Sequence, residues 1–375
     1  MAQMNSFSSD NPPPYSPMYD KPSTAATHSK WNPLYWPTWV KLTGLGVTTI
    51  IIIAIIVGAV EATKSSGSYP DYSYLNYTIA DNYTGTSFFD NFNYFTGYDP
   101  SAGFVHYVPS ATATSSEYNL TYAGPSSAVL RVDTTNTDAS TGRYSVRITS
   151  KKQYSSGLFI FDILHSPYGC STWPAIWLSD PSNWPTNGEI DVVEAVNHAV
   201  SGNQMTLHTT AGCTMKGVQR KESGTVTSTN CLNSTNDNAG CAVKGPVDTV
   251  GAALNAIGGG VYALEFRAAG IRVWFFARSS IPSDLVYGAD ASPDPGRWGE
   301  AMADFPSTDC DVGAHFRNQS IIADIDLCGT WAGATAVYGT QDGCPGTCEA
   351  FVAGNATAFE TAYWEWKSFR VYGAE

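Results

Sequence analysis

The sequence predicts an all-β fold, an antiparallel sandwich of about 290 residues preceded by one transmembrane helix. Segments of strand composition recur through most of the 375-residue chain, separated by turns rich in Gly, Asn and Ser. No helical period extends beyond short pieces such as GAALNAI. One uncharged apolar segment, residues 42–60, differs from both patterns and predicts the helix.

The apolar segment reads LTGLGVTTIIIIAIIVGAV and is flanked by charged residues. A helix of roughly 20 apolar residues crosses a bilayer, so residues 42–60 are predicted to form a signal anchor. Lysines close to the segment lie mostly before it, and only Lys64 follows it closely. This asymmetry predicts a cytosolic N-terminus. The chain is therefore expected to be a single-pass type II membrane protein, with its bulk extracellular or lumenal, at the plasma membrane or in the secretory pathway.

Glycosylation sequons and cysteines agree with this orientation, because all of them follow the apolar segment. The six sequons begin at Asn76, Asn82, Asn119, Asn233, Asn318 and Asn355. The eight cysteines are Cys170, Cys213, Cys231, Cys241, Cys310, Cys328, Cys344 and Cys348. An even number in a secretory compartment predicts disulfides, and the sequence leaves their pairing open. A zinc site at Cys344 and Cys348 is the weaker alternative, since no second close ligand pair follows.

Composition divides the chain into four parts. Residues 1–41, rich in Pro, Ser and Asn, are predicted to be a disordered cytosolic tail. Within this tail, Pro12–Tyr15 form a PPxY pattern that fits a WW-domain partner, although an inert Pro-rich tail explains it equally well. Residues 42–60 form the predicted anchor. Residues 61–85 are predicted to be a glycosylated stem, and residues 86–375 a single β domain.

The strands of this domain are predicted from β-branched and aromatic segments. They are SVRITS, GLFIFDIL, PAIWL, EIDVVEAV, QMTLHTT, VYALEF, IRVWFFA and FRVY. The alternation on both sides of RAAG predicts a hairpin between VYALEF and IRVWFF.

Charge and aromatic content limit the classes of partner. The net charge of −13 argues against nucleic acid, because phosphate binding needs a basic surface. The chain contains 11 Trp, 21 Tyr and 16 Phe, and aromatic faces suit a neutral polysaccharide. No cofactor or metal is predicted.

Three carboxylates on one apolar segment, GEIDVVEAV, are the strongest chemical signal. Glu189 and Asp191 share a strand face because side chains alternate. Glu194 lies five residues after Glu189, so it shares that face only if a β-bulge at Val192–Val193 adds one residue. Two carboxylates across a glycosidic bond are the minimum needed to hydrolyse it. A solvated strand face or an acidic metal site is the alternative explanation.

Tryptophans precede this strand closely and strengthen the catalytic interpretation. Trp173, Trp177 and Trp184 lie within 16 residues before Glu189. Their faces suit stacking on sugar rings, although core packing explains some tryptophans in any domain.

The segment TWPAIWLSDPSNWPTNGEIDVVEAVN, followed by TLHTTAGC, resembles the fungal laminarinase-like branch of glycoside hydrolase family 16, the endo-1,3(4)-β-glucanases. The resemblance extends from about Phe88 to Tyr372. It includes FFDNFNYFTGYDP, GLFIFDILHSPYGC, GGGVYALEF, IRVWFFARSSIPSDL, AHFRNQSIIADIDLCGTWAG and AYWEWKSFRVY. The resemblance implies a curved antiparallel β-jelly-roll sandwich with a concave substrate cleft.

The resemblance also implies roles for individual residues. Glu189 would be the nucleophile, Asp191 its supporting acid and Glu194 the general acid/base. Trp177 and Trp184 match positions that line the cleft, and Trp173 lies beside them. His208, in TLHT, matches a histidine on the neighbouring strand that reaches the site. Ser171 and Ala195 stand where the family usually has Gly, and Glu365 stands where a less charged residue is usual.

The function implied is a retaining endo-β-glucanase acting on β-1,3 and mixed 1,3/1,4 glucan. A membrane-anchored transglycosylase is an alternative, as is a β-1,6-glucan assembly factor in cell-wall remodelling. A non-catalytic glucan-binding protein is a further alternative, although such relatives usually lack one or both catalytic Glu residues. In a last alternative, the chain is a trafficking adaptor that works through Pro12–Tyr15.

Overall fold

The computed structural model describes residues 33–43, 48, 49, 52, 68–286 and 292–374. The chain divides into two compact units, residues 1–64 and residues 65–375. In the first unit, Pro33–Tyr35 form a 3₁₀ turn and residues 38–43 are helical. Among the residues described, no helix is long and apolar enough to span a bilayer. Most of the predicted anchor 42–60, and all of Pro12–Tyr15, lie outside the described residues.

The described part of the second unit contains eighteen strands. In chain order, β1 to β18 are Tyr77–Thr84, Phe92–Tyr94, Val105–Tyr107, Thr121–Ala123, Ala128–Arg131, Arg143–Ser145, Arg147–Tyr154, Gly157–His165, Thr172–Ser179, Glu189–Glu194, Gln204–His208, Thr225–Thr229, Cys241–Lys244, Gly260–Arg267, Gly270–Ala277, Ala303–Pro306, Gln319–Leu327 and Tyr363–Ala374.

Sixteen of these strands form two antiparallel eight-stranded sheets. The front sheet has the order β12-β13-β11-β10-β9-β17-β7-β2. The back sheet has the order β16-β15-β14-β8-β18-β5-β4, and β1 also pairs with β18. The remaining two strands, β3 and β6, form a short parallel pair. The predicted all-β antiparallel sandwich is therefore confirmed, and the predicted hairpin is β14–β15, where Arg267 pairs with Gly270.

Helices in this unit are short and lie in the connections. The α-helices are Ser110–Ala113, Gly251–Ala256, Ser283–Val286, Val312–His315, Gly329–Ala332 and Cys348–Gly354. The 3₁₀ turns are Gly85–Asn91, Pro181–Asn183, Asn236–Asn238, Val247–Thr249, Arg278–Ser280, Pro295–Arg297, Ser307–Asp309 and Ala356–Phe359, and Ala336–Gln341 form a π-helical turn.

The main core lies between the two sheets and is filled by alternate residues of each strand. Ile190 and Val193 of the front sheet belong to it, as do Phe161 and Phe369 of the back sheet, and all four are almost fully buried. Burial of this apolar surface is the dominant stabilising contribution in a sandwich of this kind. The other face of the front sheet is thereby left to polar and aromatic side chains.

The segment before the predicted domain boundary is partly folded onto the domain. Residues 77–84, placed in the predicted stem 61–85, form β1 and pair with β18. The Tyr69 hydroxyl donates to Asp304 at 3.0 Å, and the Tyr77 hydroxyl donates to Glu265 at 2.9 Å. Residues 61–67 lie outside the described residues, so the stem stays a prediction only there.

All eight cysteines form disulfides, as expected of an oxidising compartment. The pairs are Cys170–Cys344, Cys213–Cys310, Cys231–Cys241 and Cys328–Cys348. Cys344 and Cys348 belong to different disulfides, which excludes the alternative of a zinc site at these two residues.

Candidate active site

The three acids lie on β10, in the interior of the front sheet between β9 and β11. Asp191 pairs with Trp177 of β9, and two residues later Val193 pairs with Ile176, so Val192 is the extra residue of a β-bulge. The predicted bulge is therefore confirmed. Because of it, Glu194 points to the same face as Asp191, while Val192 and Val193 both pack into the core.

One buried asparagine satisfies the backbone groups that the bulge leaves unpaired. Asn203, fully buried, accepts a hydrogen bond from the Glu194 amide through Oδ1 at 2.8 Å. Its Nδ2 donates to the Val192 carbonyl oxygen at 2.8 Å. Asn203 thus fixes the bulge that orients Glu194. Sequence reasoning missed this residue, since an Asn in a Gly-Asn turn carries no signal of such a role.

Glu194 lies in an environment that favours its protonated form. Burial raises the pKa of its carboxyl well above the usual range, and the charge of Asp191 raises it further. The Trp173 indole N–H donates to Oε1 of Glu194 at 2.8 Å and opposes this shift only in part. A carboxylic acid that stays protonated near neutral pH can act as a general acid.

Glu189 lies beside two cationic residues that favour its ionised form. Burial and the Asp191 charge raise the pKa of Glu189 to about 7. The charges of His208 and Arg147, with hydrogen bonding by the Trp184 indole, act in the opposite direction. The pKa of each glutamate is therefore raised, and cationic neighbours favour the ionised form of Glu189.

Asp191 lies between the two glutamates and contacts a histidine of the neighbouring strand. His208 Nε2 lies 3.2 Å from Asp191 Oδ2, and its Nδ1 is 3.0 Å from Asn238 Oδ1. Burial would lower the pKa of His208, but the contact with Asp191 and the charges of all three acids outweigh it and raise the pKa to about 9. His208 is therefore an imidazolium at neutral pH, with a proton on each ring nitrogen, and forms an ion pair with Asp191.

Two clusters among the described residues have the composition of a metal site. In one, Glu189, Asp191 and His208 each offer a ligand atom within 4.8 Å of the others. His208 is paired with Asp191 in this cluster, so a metal ion there would have to displace the imidazolium proton. The other cluster contains Cys170 and Cys344, whose sulfurs are joined in a disulfide and provide no thiolate.

The three predicted tryptophans lie around these acids. Trp173 and Trp177 alternate with core residues along β9, and both are partly exposed on the same face as the acids. Trp184 is 41% exposed in the connection between β9 and β10. The Trp173 ring contacts Trp331 edge to face, with a centroid distance of 5.6 Å. The structure thus brings the predicted site residues of β9, β10 and β11 to one face of the front sheet, and Trp184 hydrogen-bonds Glu189 from the adjoining connection.

Trp177 is held by two neighbours that were not among the predicted site residues. Its indole N–H donates to Asp324 Oδ2 at 3.1 Å. The guanidinium of Arg147 lies 4.7 Å from the centre of its ring and 4.0 Å from Asp324 Oδ2. Burial raises the pKa of Asp324 to about 7, opposed by Arg147 and by the Trp177 hydrogen bond. These contacts fix the plane of the Trp177 ring.

A sequence signal for Asp324 was present. In SIIADIDL the apolar residues Ala323, Ile325 and Leu327 alternate with two aspartates, and all three apolar residues lie in the core. This period of two predicts a strand, β17, with Asp324 on the opposite face. The strand was not among those predicted, so its polar face was not considered.

The three departures from the family pattern have different environments. Ser171 is buried with φ 75°, a conformation that favours Gly, and its amide donates to Asn197 Oδ1 at 2.7 Å. Ala195 follows Glu194 and is almost fully buried. Glu365 lies on the back sheet, where it accepts a 2.7 Å hydrogen bond from the Ser127 hydroxyl. Glu365 therefore belongs to the opposite side of the sandwich.

Comparisons with known sequences agree on one kind of protein. The profile described as the XgeA-like, catalytic GH16 domain matches residues 92–372. A probable glycosidase of Schizosaccharomyces pombe is 45% identical over 308 residues, covering 81% of this chain and 71% of the relative. A probable endo-1,3(4)-beta-glucanase of Aspergillus flavus is 39% identical over 305 residues. That alignment covers 79% of this chain but only 44% of the Aspergillus protein, so the chain spans less than half of that relative's length.

Solved structures agree with the sequence matches. Laminarinase 16A from Phanerochaete chrysosporium, solved with β-glucans in both donor and acceptor sites, is 42% identical with a TM-score of 0.76. The match covers 80% of this chain and 100% of the laminarinase chain. An elongating GH family 16 beta-1,3-glucosyltransferase is 39% identical with a TM-score of 0.72, over 79% of this chain and 100% of that one.

Proposed function

The chain belongs to glycoside hydrolase family 16, with an XgeA-like catalytic domain, and on this premise we propose that it hydrolyses β-1,3-linked glucan with retention of configuration. The observation that carries the proposal is the bulged strand β10, which gathers Glu189, Asp191 and Glu194 on one face. Hydrolysis with retention needs two carboxyl groups about 5 Å apart, and a shared face is the condition for that approach.

The surroundings of the two glutamates support one assignment of roles. Glu194, whose pKa is raised well above the usual range, donates its proton to the leaving glycosidic oxygen. Glu189, whose ionised form is favoured by the charges of His208 and Arg147, attacks the anomeric carbon as that C–O bond breaks and forms a glycosyl ester. Glu194, now ionised, takes a proton from water, whose oxygen attacks the same carbon and releases Glu189. The sum is one bond hydrolysed and both carboxyl groups restored.

Asp191 and His208 support this exchange without bonding to the sugar carbon. The Asp191 charge lies between the glutamates and raises the pKa of both. His208, as an imidazolium on Asp191, limits the negative charge of the site. Without this cation the nucleophile would be protonated over more of the neutral pH range.

The substrate class follows from the surroundings of the acids and from the relatives. Trp173, Trp177 and Trp184 offer partly exposed rings on the acid-bearing face, which suit the apolar faces of sugars. A neutral polymer also suits a chain with a net charge of −13. The names of the relatives and of the laminarinase support a β-1,3 or mixed 1,3/1,4 glucan.

The decisive experiment incubates the purified full chain with β-1,3-glucan and follows both product size and anomeric form. We expect shorter oligosaccharides, with the β-anomer formed first, and no products from Glu189→Gln. Asp81→Asn, a substitution on the back sheet in β1, is the matched control and should leave activity unchanged. Initial release of the α-anomer contradicts retention, and products from Glu189→Gln contradict the role given to Glu189.

A second candidate, transglycosylation, is favoured by the similarity to an elongating β-1,3-glucosyltransferase. In this reaction a sugar hydroxyl replaces water in the second step, with the same proton transfer to Glu194. Incubation with a single β-1,3-oligosaccharide distinguishes the two reactions. Products longer than the starting oligosaccharide indicate transfer, whereas shorter products alone indicate hydrolysis.

We also propose the domain layout and location that the sequence predicts. Residues 42–60 would anchor a type II protein, with a cytosolic tail, residues 1–41, and the hydrolase domain on the other side. The support is the uncharged 19-residue segment, the lysines before it and the sequons after it. Protease treatment of sealed membranes should leave the domain protected and remove the tail. Retention of Pro12–Tyr15 peptides by WW domains would test the proposed partner.

A further inference from the structure

A cavity is lined by residues that are not among those of the candidate active site. This cavity of about 370 Å³ is lined by residues of β3, β6 and the loops that follow β3 and precede β6. Its volume falls in the range of roughly 300–1,000 Å³ that is typical of small-molecule sites. The rings of His106 and Tyr144 contact each other edge to face across 6.3 Å and form one wall. Asn136 and Asp138 lie on the opposite loop.

The lining selects a class of ligand by its chemistry. Among the described residues that line the cavity there is no lysine or arginine, so nothing in it favours an anion. Hydroxyl, amide and carboxylate groups are contributed by Thr141, Asn136 and Asp138, and all three residues are exposed. A partly exposed Tyr144 ring beside such groups is suited to a neutral ligand with many hydroxyls and apolar ring faces.

The loop that carries these polar groups is fixed by hydrogen bonds to buried side chains. Arg143, fully buried, donates to the carbonyl oxygen of Asp133 at 3.1 Å and to that of Asn136 at 2.9 Å. The Asp133 carboxylate accepts the Asn136 amide at 3.2 Å. Asn136 Oδ1 accepts the Asp138 amide at 3.0 Å, and this turn does not use the Asn136 side-chain nitrogen. A ligand would therefore meet a preorganised wall, which lowers the entropy lost on binding.

A short series of ring contacts connects this cavity to Trp177, which faces the acids. Tyr107 lines the cavity and contacts Phe95 edge to face, with centroids 5.9 Å apart. Arg147 lies 4.8 Å from the Phe95 ring centre and 4.7 Å from that of Trp177, which faces the acids. Packed side chains, those of Tyr107, Phe95 and Arg147, thus connect the cavity to the Trp177 ring.

We propose that this cavity, lined by His106, Asn136, Asp138 and Tyr144, is a second binding site for a segment of β-1,3-glucan. The inference rests on the proposed function, because it takes its ligand from the polymer that the cleft would cleave. A chain held at two sites binds the second one at high effective concentration, so the cavity increases the residence of polymer without taking part in the chemistry.

Binding stoichiometry tests the inference separately from catalysis. Calorimetric titration of the full-length Glu189→Gln protein with laminariheptaose, a β-1,3-linked heptasaccharide, should give two sites per chain. Adding Tyr144→Ala should weaken one site by roughly tenfold or more, and adding Trp184→Ala should weaken the other. Tyr122→Ala, which alters a 45% exposed tyrosine on the back sheet, is the matched control and should keep both sites.

The possible results distinguish a failure of the cavity proposal from a failure of the proposed function. A single site that is weakened only by Trp184→Ala overturns the cavity proposal and leaves the proposed function standing. A single site that is weakened only by Tyr144→Ala supports the cavity and argues against glucan in the cleft. No binding overturns both. Equal binding of maltoheptaose, an α-linked glucose heptamer, at the Tyr144 site overturns the choice of β-1,3-glucan.

A second variant excludes a folding artefact, because Tyr144 packs partly against the core. Asp138→Ala removes an exposed carboxylate with no core contact and should weaken the same site, while Tyr144→Phe keeps the ring and should retain it. In the active chain, Tyr144→Ala should raise KM for long glucan several-fold and leave KM for a trisaccharide unchanged. An equal change for both lengths contradicts a site that only long chains can reach.

Discussion

His208 Nε2 lies 3.2 Å from Asp191 Oδ2, and this pair stands beside both glutamates of the site. The imidazolium lowers the pKa of Glu189 and of Glu194, although burial and Asp191 keep both above the usual range. One histidine thus offsets part of the negative charge that these acids bring to the site. The pH dependence of the reaction should therefore depend on a residue that does not touch the reacting bond.

His208→Gln should shift the activity profile to higher pH. Without the cation, ionised Glu189 is less stable, so its pKa rises above the value of about 7 in the native protein. The acid limb of kcat/KM, which follows ionisation of the nucleophile, then moves upward in pH. The alkaline limb, which follows loss of the Glu194 proton, moves in the same direction.

The measurement is kcat/KM as a function of pH for the native protein and for His208→Gln. His198→Gln, at an exposed histidine, should leave both limbs in place.

Glu194→Ala should affect substrates according to their leaving group. Loss of the general acid costs about 10²–10⁴-fold in rate for glucan, whose leaving alcohol needs a proton. An aryl glycoside with an acidic phenol needs little protonation, so formation of its glycosyl-enzyme should persist. Rates for the two substrate types, measured on one preparation, check this. A similar loss on both types would contradict the general-acid role.

Glu189→Ala should be rescued by azide with inverted stereochemistry. Removal of the nucleophile abolishes the glycosyl ester, and we expect a loss of roughly 10⁴-fold or more on every substrate. Azide can occupy the space of the missing carboxylate and attack from that side, which gives an α-glycosyl azide from an activated aryl glycoside. NMR of the product determines the anomer. A β-glycosyl azide would instead assign Glu189 to the acid/base position.

The sequence predicted the regular parts of the fold and the chemistry of β10. Strand β10 carries alternating apolar residues with acids at fixed spacing, and both its faces and its bulge follow from that local pattern. The hairpin β14–β15 is local as well, since Arg267 and Gly270 are close in sequence. Such features need only short-range information.

Contacts between distant residues could not be predicted in the same way. Asp324 and Trp177 are 147 residues apart, and only the pairing of β17 with β9 brings them together. The disulfide Cys170–Cys344 spans 174 residues, and its pairing depends on the folded chain. The predicted stem also included β1, because the polar composition of YTIADNYT hides a strand that pairs at the sheet edge with β18.

Asp324→Leu should weaken the binding of glucan more than it slows the reaction. Asp324 holds the Trp177 indole at 3.1 Å, and without this acceptor the ring loses its fixed plane. We expect KM to rise by about tenfold, since one buried hydrogen bond contributes roughly 1 kcal/mol or more. Asp324→Asn keeps an acceptor oxygen and should retain most of the affinity. Steady-state kinetics on the same glucan compares the two variants. A loss mainly in kcat, equal in both variants, would point to electrostatics and not to ring position.

Asn203→Ala should damage both stability and catalysis, although Asn203 lies in the core and has no access to substrate. Its side chain makes two 2.8 Å hydrogen bonds, one to the Glu194 amide and one to the Val192 carbonyl. Leaving both backbone groups unpaired in a buried site should lower the free energy of unfolding by about 2–4 kcal/mol. The released bulge should also let Glu194 turn away from the glycosidic oxygen, so kcat falls for glucan but much less for an aryl glycoside with an acidic phenol.

Asn183→Ala removes one hydrogen bond of an exposed Asn and is the control, expected to change the free energy of unfolding by less than about 1 kcal/mol. Denaturant unfolding and the ratio of rates on the two substrates separate the effects. An unchanged ratio with lowered stability would mean that Asn203 supports the fold but does not orient Glu194.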